Sequence, residues 1–354
     1  MNVRDIRDII DHTFVVNLKH RKDRWNTIQN NFKPINLKLN RWDAVYGKKI
    51  DEKHIKKITT NFCNYFCSYG MIGCWLSHYN LWRYIVKNKL DRVLVLEDDA
   101  IPVDDFNKKF VNAWKNLSKS PDISKNYDII YIGCCGSCDK GANNLLSIIG
   151  IHNKDIYFNK KRVDDVMIPG FPAGTHAYMI SYKGAKKLVS NKEMDKVKYH
   201  IDASLANFYK DNNNNPQKEP FNVYALKEPL IFQSGNTEGS DIANDEHPSL
   251  NYFFSKMKVT ENHKMDVIMN TQHVNIRKLD MNVNGYVVLF GVLSFLVGLC
   301  GNETVIQYYI YILILINVID IIISKNKKLN NLILEIFVIV VCLYAGYKLN
   351  NRNR

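Results

Sequence analysis

Beyond about Gly285 this chain stops reading as a water-soluble sequence, and that change limits what the whole can fold into. Three apolar blocks follow one another at residues 283–300, 305–323 and 332–349. Each is close to the ~20 residues that a membrane-spanning helix needs. Asp320 falls near the end of the second block and Glu335 near the start of the third, where an acid can reach an interface. A buried helical hairpin of a soluble domain is the alternative, and three such blocks in succession argue against it. The reading divides the chain into a domain over residues 1–250, a polar linker over 251–282 and a hydrophobic anchor of two to three helices over 283–350.

The flanks of the blocks suggest an orientation. Arg277, Lys278, Lys325, Lys327 and Lys328 share a side with the first domain if all three blocks span, and the turn at Asn302 and Glu303 carries no base. Basic flanks favour the cytosol, so a cytosolic catalytic domain is expected. Lys348, Arg352 and Arg354 on the opposite side weaken that bias. The formal net charge of +13 comes from lysines scattered among asparagine and isoleucine. It forms no basic run, which excludes nucleic acid and leaves phosphate-bearing substrates and membranes. Eight cysteines are present, and Met1 to Ile10 has no apolar signal core, so reduced thiols are the expectation. Cys63, Cys67, Cys135 and Cys138 leave structural zinc open, but their spacing is loose.

Before the tail, strand-like and helix-like stretches alternate, which predicts an α/β fold with a mixed central sheet. Strands are expected at 12–18, 41–45, 92–96, 127–132, 176–181 and within 222–233. Helices are expected at 21–32, 69–87, 106–117, 184–190 and 202–210. Residues 136–165 read as loop-rich, 211–216 as a low-complexity loop, and 234–280 as a flexible linker that begins with a flap.

The chemistry concentrates at Glu97, Asp98 and Asp99. They end the apolar run Arg92 to Leu96, at the carboxyl edge where open α/β sheets bind ligands. Strand alternation puts Glu97 and Asp99 on one side and Asp98 on the other. Carboxylates this close repel unless a cation joins them, and Mg²⁺ or Mn²⁺ accepts carboxylate and diphosphate oxygens together.

Six blocks in order resemble glycosyltransferase family 25. They are Val15, Val16, Asn17 and Leu18 with Arg21, Asp23 and Arg24; Asp43 to Gly47; Gly70 to His78 followed by Trp82; Leu96 to Ala100; Gly174 to Tyr178; and Pro229 to Ser234. The tail lies outside the resemblance. The resemblance implies a GT-A type fold, a UDP-sugar donor carrying galactose or glucose, Mn²⁺ or Mg²⁺, and inversion at the anomeric carbon. The acceptor would be a glycan, glycolipid or protein.

Within that frame, Asn17, Arg21, Arg24, Gly73, Ser77, His78, Asp98, His176 and Gln233 are the expected donor-binding residues. Glu97, Asp99 and His247 are the expected metal ligands. Asp99 and Asp202 are the expected catalytic residues, with Asp202 as the base that takes the acceptor proton and Glu238 and Asp241 as alternatives to it. The competing functions are a sugar-nucleotide-binding protein of the same fold without turnover, and a structural membrane protein.

Overall fold

The computed structural model describes residues 5–136, 152–234, 247–257, 265–323 and 328–352. They fall into two units. The first contains residues 5–64, 69–136 and 152–234, and the second contains residues 65–68, 247–257, 265–323 and 328–352.

The first unit is built on an eight-stranded mixed sheet. In chain order its strands are β1 (His12–Asn17), β2 (Leu39–Asp43), β3 (Val93–Glu97), β5 (Ile129–Gly136), β6 (Lys154–Phe158), β7 (Lys161–Ile168), β8 (Pro172–Ile180) and β9 (Val223–Leu226). Their spatial order is β2-β1-β3-β8-β5-β9-β7-β6. β4 (Ala100–Pro102) and β10 (Ile231–Gln233) form a separate antiparallel pair. β1 runs parallel to both β2 and β3, with Asn17 opposite Asp43 and Val16 opposite Glu97. The carboxyl ends of three parallel strands therefore meet at one edge.

Strand alternation supplies two buried faces. Val15, Leu94, Leu96, Ile130, Ile132 and Met179 pack into one core with Ile28 and Phe32 of α1 (Lys22–Phe32) and Phe106, Phe110 and Trp114 of the later helix Phe106–Ser118. The residues of opposite parity include Phe14 and Tyr178. They meet the long helix Tyr69–Lys87, where Tyr84 stacks edge-on against Phe14 at 5.7 Å and Trp82 Nε1 donates to the Tyr178 hydroxyl at 2.9 Å. In chain order the helices after α1 are α2 (Glu52–Ile58), α3 (Asn61–Phe66), α4 (Tyr69–Lys87), α5 (Phe106–Ser118), α6 (Pro121–Ser124), α7 (Tyr182–Ser190) and α8 (Ile201–Asn214).

Two stretches differ from the sequence reading. Residues 154–165, read as loop-rich, belong to the β6–β7 hairpin at the edge of the sheet; charged residues such as Lys154, Asp155, Lys161 and Arg162 fit an edge that faces water. The asparagine run, read as loop, continues α8 to Asn214. Asn213 explains this: its amide donates to Phe221 O at 3.1 Å and its carbonyl accepts from Phe221 N at 2.8 Å.

The second unit replaces the expected linker with structure. Helices α9 (Pro248–Phe254) and α10 (Met265–Asn270) precede a hairpin of β11 (Gln272–Ile276) and β12 (Met281–Asn284), which runs directly into α11 (Gly285–Cys300). The Asn284 side chain caps α11 by accepting from Val287 N at 3.1 Å. α12 (Glu303–Ile323) and α13 (Leu329–Arg352) follow. These last two are long and apolar enough to cross a membrane, while α11 is a shorter apolar helix. α11 and α13 touch at small residues. A Cβ on Gly298 would lie 2.2 Å from Leu343 O, and one on Gly346 would lie 2.2 Å from Phe295 O, so the backbones meet as packed apolar helices do when glycine permits. The outer faces stay apolar and uncovered, with Ile322 77% and Phe337 64% exposed.

His247 lies in this unit, and its ring is fully engaged. Nδ1 stands 2.8 Å from Asp320 Oδ2, and Nε2 stands 3.1 Å from Glu335 Oε2. Ser249 donates to Asp320 from its backbone and its hydroxyl, and Asn317 donates to Glu335. The two acids that were expected at an interface are therefore buried partners of an imidazole. That leaves His247 no nitrogen for the metal role the sequence suggested.

The cysteines also depart from expectation. Cys63, Cys67 and Cys134 are disulfide-bonded instead of reduced, whereas Cys74 is a free thiol. Cys63 and Cys67 thus have no thiolate to offer zinc; Cys138, Glu238, Asp241 and the expected flap lie outside the described residues.

Candidate active site

The acidic triplet sits where β3 ends and the chain turns into β4. Glu97 and Asp98 point to opposite sides as strand alternation predicts, and the turn at Asp98 and Asp99 takes Asp99 out of that alternation. Asp98 is turned toward β1 and α1. Asn17 Nδ2 donates to Asp98 Oδ2 at 2.6 Å, and Arg24 Nη1 donates to Asp98 Oδ1 at 2.9 Å. Arg24 and Asp98 are both buried. Burial pushes the Asp98 carboxyl above its ordinary pKa, against the pull of Arg24 and Asn17. These three residues, expected to contact the donor, instead brace one another and fix the turn. Arg21 is likewise occupied, by a 2.9 Å pair with exposed Asp23.

Glu97 faces the other way. Thr175 Oγ1 donates to Glu97 Oε1 at 2.6 Å, and His78 Nε2 lies 3.4 Å from the same oxygen. Burial would raise Glu97, but the His78 imidazole and the Thr175 hydroxyl outweigh it and hold the carboxyl below its ordinary value. Asp99 stands between. Arg24 Nη1 is 4.0 Å from its Oδ2, the Gln233 side chain hydrogen-bonds to it, and Ser234 N donates to its backbone oxygen at 2.9 Å. Asp99 Oδ1 is buried and makes no hydrogen bond. Burial and the charge of Glu97 push Asp99 up to about 7.

An ionised Glu97 beside an Asp99 that resists ionisation, with one oxygen unsatisfied, is a donor set that a hard dication completes. The residues therefore fit the cation that the sequence resemblance implied.

The remaining expected residues divide between site and scaffold. Ser77 is buried, donates to Gly73 O at 2.6 Å and accepts from Val45 N at 2.8 Å, so it clamps α4 to the loop after β2. Gly73 belongs to the same clamp: a Cβ there would lie 2.5 Å from Val45 O. The close approach that glycine allows is to the chain itself, not to a donor. His176 is buried and directs Nε2 to Ile231 O at 3.3 Å, joining β8 to β10. Asp202, in the first turn of α8, accepts from Gly174 N at 2.9 Å and from Ala203 N at 2.7 Å. Gln233 ends β10 with an exposed side chain beside Asp99.

Two residues beside Glu97 were not singled out from sequence. Thr175 lay within a quoted block between Gly174 and His176, with nothing in its type to mark it. Cys74 had a readable signal, since it stands four residues before His78 and so shares its helix face.

This geometry, a mixed α/β sheet whose parallel strands end in a braced acidic turn, can now be set beside known proteins. Residues 10–205 match the family described as "Glycosyltransferase family 25 (LPS biosynthesis protein)", which is more than half of the chain, and the chain belongs to that family. It is 28% identical over 196 residues to a "Glycosyltransferase 25 family member" of Drosophila melanogaster, covering 53% of this chain and 29% of that one. It is 26% identical over 234 residues to human "Procollagen galactosyltransferase 2", covering 63% and 34%. The chain thus spans about a third of the length of these relatives. Among solved structures, a putative glucose-1-phosphate thymidylyltransferase from Bacillus anthracis aligns with a TM-score of 0.28 and 9% identity over 62% of this chain and 70% of that one, a likeness too slight to argue from.

Proposed function

We propose that the chain is a glycosyltransferase whose first unit, a GT-A type domain, moves a hexose from a UDP-sugar to a hydroxyl of a glycan, glycolipid or protein, with inversion. The observation that carries this reading is the Glu97–Asp99 pair at the carboxyl edge of the parallel strands, held open by a separately braced Asp98. Galactose is the favoured sugar because several relatives are named galactosyltransferases.

Glu97 and Asp99 would hold Mn²⁺ or Mg²⁺, which would neutralise the leaving diphosphate. Asn17 and Arg24 keep the turn rigid through Asp98, so the pair does not have to be organised when substrate arrives. Gln233 reaches past Asp99 with an exposed amide suited to sugar hydroxyls. In the transfer the acceptor oxygen attacks the anomeric carbon, the bond from that carbon to the diphosphate oxygen breaks, and a base takes the hydroxyl proton. Asp202 is the proposed base: each of its oxygens accepts one backbone N–H and keeps a lone pair. The second unit would anchor the chain in a membrane through α12 and α13.

The test uses the full chain in detergent, because a cut near Asp280 would divide the β11–β12 hairpin. UDP release is measured over a panel of UDP-sugars with Mn²⁺, with EDTA and with Asp99→Asn. Release with one sugar that both EDTA and the substitution abolish is the expected result. A folded protein that neither releases nor binds UDP with Mn²⁺ would sink the proposal.

A further inference from the structure

Cys74 and His78 stand one turn apart on the same face of α4, and Glu97 ends the strand beside them. The Cys74 Sγ, an imidazole nitrogen of His78 and a carboxylate oxygen of Glu97 all lie within 4.8 Å of one another. The imidazole is oriented. Its Nδ1 is 3.0 Å from the Tyr178 hydroxyl, which also accepts from Trp82 Nε1 at 2.9 Å. Nε2 is thereby turned toward Glu97 Oε1 at 3.4 Å, yet it is buried in a residue of 0% exposure and makes no hydrogen bond of acceptable geometry. Glu97 is steadied by Thr175. An imidazole pinned through one nitrogen, with the other directed at a carboxylate and a thiol close by, is how proteins commonly present histidine to a metal.

We propose that Cys74, His78 and Glu97 form a binding site for a transition-metal dication of the Zn²⁺ class. A thiolate and an imidazole favour such ions over Mg²⁺, Ca²⁺ and Mn²⁺. Three protein ligands leave a fourth tetrahedral position open to water or another oxygen. Coordination exchanges the S–H bond of Cys74 for a sulfur–metal bond, and the proton leaves to solvent. The site shares Glu97 with the proposed hard-cation pair but stands on Cys74 and His78, so it does not depend on the transferase reading. Because Glu97 is common to both sets, filling one draws its carboxylate from the other.

Co²⁺ is the probe. The full chain in detergent, stripped with EDTA and shown to be folded by circular dichroism, is titrated with Co²⁺. One equivalent should produce a thiolate-to-cobalt charge-transfer band in the near ultraviolet and tetrahedral bands in the visible. Excess Mg²⁺ should not erase them. Cys74→Ser should remove the charge-transfer band, His78→Gln should weaken binding at least ~10-fold, and Cys300→Ser with Cys342→Ser should leave the band intact. Absence of the band in folded wild-type protein overturns the proposal whatever the variants do, as does a band that survives Cys74→Ser. The readout is separate from donor turnover: an inactive protein with the band counts against the transferase alone, and an active protein without it counts against this site alone.

Discussion

At the scale of single residues, the role proposed for Asp99 runs against stability. Its carboxyl is pushed up to about 7 by burial and by Glu97, from an ordinary value near 3.9. A group raised on folding contributes stability that is fully present below its unfolded pKa and lost as the pH rises through its folded one. The chelated protein should therefore lose stability between about pH 4 and pH 7 on account of this group and level off above. Asp99→Asn removes the ionisation. In EDTA at pH 8 the variant should be more stable than wild type by on the order of 1–3 kcal/mol, with no UDP release. Saturating Mn²⁺ should stabilise wild type and cancel the difference. Thermal unfolding of both proteins across that pH range, with and without Mn²⁺, checks it; a variant less stable than wild type at pH 8 in EDTA would mean that the Asp99 charge is already compensated.

At the scale of elements, close packing decides what a substitution does. Alanine in an open helix is favoured over glycine by up to ~1 kcal/mol, but a Cβ on Gly73 would sit 2.5 Å from Val45 O. Gly73→Ala should therefore destabilise by roughly 1–3 kcal/mol, and it should shift the helix that carries Cys74 and His78. A lower urea midpoint together with weaker Co²⁺ binding is the expected outcome. In the second unit, His247→Ala would leave Asp320 and Glu335 buried without the imidazole that joins them. Breaking such a group costs about 3–5 kcal/mol, read as a lower unfolding temperature in detergent. His247→Gln, which keeps a hydrogen-bonding side chain, should lose less.

These elements also mark what could be read from the residues. β1, β3 and α4 were legible because their apolar periodicity is unbroken, and the opposite facing of Glu97 and Asp98 follows from strand alternation, whereas the turn that places Asp99 does not. The β6–β7 hairpin and the end of α8 were not, because edge strands carry charge and an asparagine run resembles a loop until Asn213 finds Phe221. Asn17, Arg24 and Ser77 were expected to bind the donor, but their partners are protein atoms at long sequence separation, such as Asp98 and Val45. Local pattern contains no signal for that, nor for the pairing of His247 with acids 73 and 88 residues further on.

At the scale of the whole molecule, two observations bear on where the chain resides. The uncovered apolar faces of α12 and α13 would cost dearly in water, at ~25 cal/mol per Å², and both helices are long and apolar enough to cross a membrane. The disulfides of Cys63, Cys67 and Cys134 are of the kind that forms and persists in oxidising compartments. The basic flanks of the apolar helices favour the cytosol only weakly, since Lys348 and Arg352 stand at the far end of α13. Flanking charge is a bias on insertion, whereas a disulfide depends on the chemistry of its compartment, so the disulfides predict a first unit that faces a lumen or the exterior. In sealed membranes from cells expressing the full chain, the protein should remain with the membrane after carbonate extraction, and the first unit should resist trypsin until detergent is added. After denaturation without reductant, PEG–maleimide should leave Cys63, Cys67 and Cys134 unmodified, and prior reduction should make all three reactive. Immediate labelling of those cysteines, with digestion of the first unit in vesicles whose cytosolic face is outward, would restore the cytosolic orientation.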